Sequence, residues 1–73
     1  MSASVRQADV FRMLDECAAG HTKRRGTHCW LVTYRGKTYR SLPDYAEIEF
    51  GHVRKMVRFL GIDKDCAKAH GVI

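Results

Sequence analysis

Apolar residues fall at Val10, Phe11, Leu14 and Ala18, with Cys17 alongside, and these spacings place one stripe on a helix face. Ser4-Val5-Arg6-Gln7 has the form of a capping box, and Gly20 supplies a stop, so a helix is predicted over about residues 5–19. A second stripe, Val53, Met56, Val57 and Leu60, predicts a helix over about 51–60 that ends at Gly61. Between the two the pattern changes. Residues 21–25 make a short polar strand, and Gly26-Thr27 turns the chain. Residues 28–34, with Trp30, Val32, Thr33 and Tyr34, have strand composition. Arg35-Gly36-Lys37 is a tight turn, and a third strand runs from Thr38 to Leu42, where Pro43 ends it. Alternation sets His28, Trp30, Val32 and Tyr34 on one face and Cys29, Leu31 and Thr33 on the other. Both sets contain apolar residues, so the pattern leaves open which of them meets the core.

The order is helix, three antiparallel strands, helix, which predicts a two-layer α+β domain with both helices on one face of the sheet. Residues 44–49 read as a connecting loop. Residues 63–73 lack periodicity and are expected to form a tail, fraying or adding one short helical turn that Asp63-Lys64-Asp65-Cys66 would cap. The core is placed within about residues 5–62. At 73 residues the chain is one domain with a marginal core. No apolar stretch is long enough for a membrane span, and the polar start with Ser2, Ser4 and Arg6 does not resemble a secretory signal. Three irregularly spaced cysteines, Cys17, Cys29 and Cys66, argue against a disulfide framework and for reduced thiols in a cytoplasm.

Charge sharpens this picture. The net charge is +5, and residues 23–58 hold nine cations against three acids, while the flanks balance. A basic middle points to a polyanion, nucleic acid above all. Within it, Lys23, Arg24 and Arg25 precede the Gly26-Thr27 turn and His28. A histidine beside phosphate-binding cations is the arrangement that cleaves RNA without a metal: the ring takes a 2′-hydroxyl proton and the cations stabilise the charge that builds on the phosphate. Packing at a strand end is the plainer role for a lone histidine. Cys17-x3-His21, His28-Cys29 and Cys66-x3-His70 contain zinc-type ligands, but none has the paired short spacing of a structural site, so neither metal nor other cofactor is expected. Trp30, Tyr34 and Tyr39 could stack on unpaired bases if they faced outward, although the one tryptophan of so small a domain is needed in its core.

The segment Arg25-Gly26-Thr27-His28, the strand pair ending at Leu42-Pro43, Glu47-Ile48, and then Gly51, Val53-Arg54-Lys55-Met56 and Leu60-Gly61-Ile62 together resemble the HicA toxin family, over about residues 8–62. The resemblance implies a fold like the double-stranded-RNA-binding domain, α-β-β-β-α. It also implies an mRNA-cleaving toxin held inactive by a HicB-type antitoxin, with His28 as its catalytic residue. Lys23, Arg24, Arg25, Thr27, Lys37, Arg40, Arg54 and Arg58 are then the expected RNA-binding residues. Family members often carry a second histidine just after the proline, where this chain has Asp44 and Tyr45, and the segment beyond Ile62 is longer than usual. A non-catalytic RNA-binding module of the same fold is the alternative.

Overall fold

A computed structural model of the chain describes residues 3–73; Met1 and Ser2, part of the polar start, lie outside them. Strand β1 (Ser4–Arg6) leads directly into helix α1 (Gln7–Cys17). Strands β2 (Thr22–Arg25), β3 (Cys29–Tyr34) and β4 (Lys37–Pro43) form an antiparallel meander with β3 in the middle. Strand β5 (Glu47–Glu49) then leads into helix α2 (Phe50–Leu60), and helix α3 (Lys64–Ala69) follows. The molecule is a small α+β domain with a three-stranded antiparallel sheet and helices.

The predicted start of the first helix is displaced. Ser4-Val5-Arg6 is extended and pairs with Glu47–Glu49, Val5 opposite Ile48, so residues 44–49 are in part a strand as well. Burial explains the exchange: Val5 and Ile48 both enter the core from this ribbon, while their neighbours face water. The capping box is not made. The Ser4 hydroxyl donates to Glu47 Oε1 at 3.0 Å, and the Gln7 side chain reaches Asp44. The first amides find backbone partners instead, Gln7 N–H on the Ala46 carbonyl and Phe50 N–H on the Ala3 carbonyl. The ribbon thus starts both long helices, a job that side-chain caps do elsewhere. At its other end α1 stops at Cys17, earlier than predicted.

The stripe of α2 is buried at all four predicted positions, and Gly61 ends the helix with φ 73°, a left-handed conformation that glycine adopts without steric cost. From α1, Val10, Met13 and Leu14 enter the same core, and Phe11 packs edge-on against Trp30 at 5.1 Å between ring centroids. Trp30, Val32 and Tyr34 therefore lie on the sheet face that meets the helices, which settles the ambiguity left by alternation. Strand β4 carries one extra residue around Arg40-Ser41, because Trp30 faces Leu42 while Val32 faces Tyr39. This bulge turns both Tyr39 and Leu42 towards the helices.

Residues 63–73 are not a fraying tail. The Asp63 carboxylate accepts from Asp65 N–H and caps α3, and Ala67 and Val72 are fully buried. Cys17 and Cys66 are joined in a disulfide with their Cα atoms 5.8 Å apart, contrary to the expectation of free thiols. The irregular spacing hid this pair because α3 folds back onto the end of α1 across 49 residues. Cys29 remains a free thiol. Among the described residues, no helix is long and apolar enough to cross a membrane.

Candidate nucleic-acid interface

The turn between β2 and β3 sets the position of His28. Gly26 N–H donates to the Cys29 carbonyl at 2.7 Å, closing the turn. A Cβ on residue 26 would stand 2.9 Å from that carbonyl oxygen and 2.9 Å from Leu31 Cδ1, so the close approach requires glycine. Thr27 and His28 are both exposed, immediately ahead of β3. The His28 carbonyl accepts from Asp44 N–H at 3.4 Å, and the imidazole has no hydrogen-bond partner among the described residues.

What stands across from His28 is Asp44, and it is a hub. Its Oδ2 accepts from Arg25 Nε at 2.9 Å and pairs with a terminal Arg25 nitrogen at 2.8 Å. Its Oδ1 accepts from Trp30 Nε1 at 2.9 Å and from Gln7 Nε2 at 3.2 Å. The Arg25 hydrogen bond, followed by those from Gln7 and Trp30, holds the carboxyl below its ordinary value. Asp44 is thus ionised at neutral pH and acts solely as an acceptor. It occupies the place where the resemblance calls for a second histidine, and it has no proton to give. The signal for Asp44 in the sequence is an acid directly after a strand-ending proline in a strongly basic stretch.

The predicted RNA-binding residues separate into groups. Lys23 lies with its Nζ 4.8 Å over the Phe11 ring, and Arg25 lies over the Trp30 ring as well as on Asp44; both are engaged on the helix side of the sheet. Arg24 and Arg40 share the uncovered face with Thr22, Thr33 and Thr38, around a shallow depression of about 440 Å³. The Thr33 and Thr38 hydroxyls bond each other across that face at 2.9 Å. Lys37 sits at the hairpin turn, a full strand length from His28, about 20 Å along β3. Arg54 and Arg58 are exposed one turn apart on α2. They line a cleft of about 430 Å³ with Lys64 and Lys68 of α3, above Val57 and Ile73.

Lys64 and Lys68 were missed because they lie in a flank whose charges balance in sequence. Neither they nor Arg54 or Arg58 has a carboxylate at ion-pair distance among the described residues. The aromatic residues do not offer a stacking platform. Trp30 and Tyr39 pack inward, on Phe11 and Phe59 respectively, and Tyr34 packs against the core beneath the Arg35 guanidinium. Among the described residues, the exposed large apolar side chains are Tyr45 and Phe59.

Of the zinc-type pairs, Cys17-x3-His21 is not assembled: His21 Nδ1 donates to the Ala18 carbonyl, and its Nε2 faces Asp15 at 3.7 Å. The structure brings Cys17 to Cys66 and His70 instead. Compared with protein-family models, curated proteins and solved structures, the chain matches none.

Proposed function

We propose that the chain is an RNA-cleaving toxin of the HicA type, acting in a cytoplasm, with His28 as its acid–base residue. The observation that carries this reading is an exposed imidazole, without a hydrogen-bond partner among the described residues, just ahead of β3, braced by a turn that requires Gly26 and by the Asp44 hub. The sheet with α1 and α2 on one face accords with a fold like the double-stranded-RNA-binding domain, to which this chain adds the β1–β5 ribbon and α3.

The imidazole removes the proton of a 2′-hydroxyl, and the oxygen attacks the adjacent phosphorus. The 5′-oxygen leaves as the cyclic phosphate forms, and it needs a proton. Asp44 has none, so the protonated His28 ring returns the one it took, and the cycle closes with a single histidine and no metal. Arg54, Arg58, Lys64 and Lys68 hold the RNA backbone in their cleft, and Arg24 with Arg40 offers a second contact. A HicB-type antitoxin is the expected partner, covering His28.

Expression of the wild-type chain should arrest growth, and His28→Ala should not, while purified His28→Ala keeps its RNA affinity and loses at least about 100-fold in cleavage rate. Equal arrest by both forms, or arrest by neither, would sink the mechanism. A non-catalytic RNA-binding module is the second reading, and the ionised Asp44 in place of a second histidine is the observation in its favour. That reading predicts intact RNA after long incubation and salt-sensitive affinity that His28→Ala leaves unchanged.

A further inference from the structure

Helix α3 is tied to α1 by the Cys17–Cys66 disulfide, and the chemistry around that bond is richer than a disulfide alone. His70 follows Cys66 by four residues, one helical turn further on. The sulfurs of Cys17 and Cys66 and a ring nitrogen of His70 lie within 4.8 Å of one another, all three residues half-buried. The Glu16 carboxylate stands 3.6 Å from His70 Nε2. Two thiolates and an imidazole form a zinc-type donor set, and donors around a tetrahedral zinc stand about 3.5–3.8 Å apart. Side-chain rotations moving these atoms by about 1 Å would bring them onto one ion. Glu16 can either complete the tetrahedron or accept a hydrogen bond that orients the ring.

We propose that the reduced chain binds one Zn²⁺ between α1 and α3 through Cys17, Cys66 and His70, and that metal and disulfide are alternative states of the same site. A disulfide has no thiolate to offer, so the two exclude each other. A dithiol reductant delivers two electrons and two protons, becomes a disulfide itself, and leaves Cys17 and Cys66 as thiols. Metal binding then displaces their protons. Either state keeps α3 docked, so the cations Lys64 and Lys68 stay in place in oxidising and reducing surroundings alike. The sequence pattern concealed the site because its third ligand comes from another helix.

The test is a Co²⁺ titration of the full chain, reduced with dithiothreitol and desalted without oxygen. One Co²⁺ should bind per chain, with thiolate charge-transfer and tetrahedral d–d absorption that Zn²⁺ abolishes by displacement. The disulfide form should bind none. Cys66→Ser should remove the spectrum, and Cys29→Ser should leave it intact. Because a cysteine variant can simply unfold, His70→Gln provides a check that keeps both thiols: it should retain charge transfer while weakening binding by roughly 100-fold or more, and Glu16→Gln should weaken it about 10- to 100-fold. Absence of stoichiometric binding to the reduced chain, a spectrum surviving Cys66→Ser, or unchanged affinity in His70→Gln would each overturn the site.

Discussion

The two basic regions of this molecule were assembled in opposite ways. At the strand-end corner the cations are consecutive in sequence, Lys23, Arg24 and Arg25, yet the fold disperses them. Strand alternation sends Arg24 to the uncovered face and its neighbours to the helix side, where Lys23 meets an aromatic ring and Arg25 meets Asp44. In the α2–α3 cleft the cations come from two helices, Arg54 and Arg58 from one, Lys64 and Lys68 from the other, and folding gathers them without a carboxylate partner among the described residues. A charge run read along a strand overstates the local field, and four-residue spacing on helices understates it. On the function proposed above, the corner supplies the chemistry, with its ion pair spent on holding a loop, and the cleft holds the extended anion.

Releasing α3 should break the cleft and spare the corner, with the largest effect on stability. Closing the 49-residue span between Cys17 and Cys66 contributes about 4 kcal/mol in the chain-entropy account. Urea unfolding of the oxidised chain against Cys66→Ser in the presence of a chelator measures it. An unchanged midpoint would mean that burial of Ala67 and Val72 suffices to hold the helix. Next in size, changing Arg54, Arg58, Lys64 and Lys68 together to Gln should flatten the dependence of log affinity on log salt for single-stranded RNA by about 2.8. That amounts to several hundred-fold in affinity at about 0.1 M salt. The matching change of Lys23 and Arg25 should alter the slope far less, and equal slopes would erase the contrast between the two regions. Smaller again, Gly26→Ala should cost about 1–3 kcal/mol through the clash with the Cys29 carbonyl and Leu31. It should lower cleavage by shifting His28 while leaving cleft binding intact.

Much of the architecture was legible in sequence, since periodicity found both long helices, the meander and the four-residue stripe of α2. The ribbon was not, because Ser4–Arg6 and Glu47–Glu49 are three residues each and carry one apolar side chain apiece. Neither has a pattern until the other is beside it. The same holds for the site. His28 and the glycine turn lie within one short stretch and could be read directly. Asp44 acquires its meaning from Gln7, Arg25 and Trp30, and Cys66 from Cys17, through contacts that the linear chain does not display. Lys64 and Lys68 were discounted since Asp63 and Asp65 cancel them in sequence, whereas in space one of those acids caps α3.

The smallest effect tests whether the corner depends on the charge of Asp44. The carboxyl is held below its ordinary value of 3.8 by Arg25, Gln7 and Trp30, so its ionised form is favoured by the folded state. A group with a lowered folded value contributes stability that is fully present above the unfolded value. The contribution fades as pH falls through the folded one. The difference in melting temperature between the wild-type chain and Asp44→Asn should therefore be constant above about pH 5 and shrink towards zero in more acidic solution. Both proteins share every other carboxylate, so the difference isolates this one. Its size should be modest because the Arg25 side chain is two-thirds exposed, at 66%, and its ion pair is screened by water. A difference that persists unchanged into strong acid would mean that Asp44 holds the corner through hydrogen-bond geometry alone.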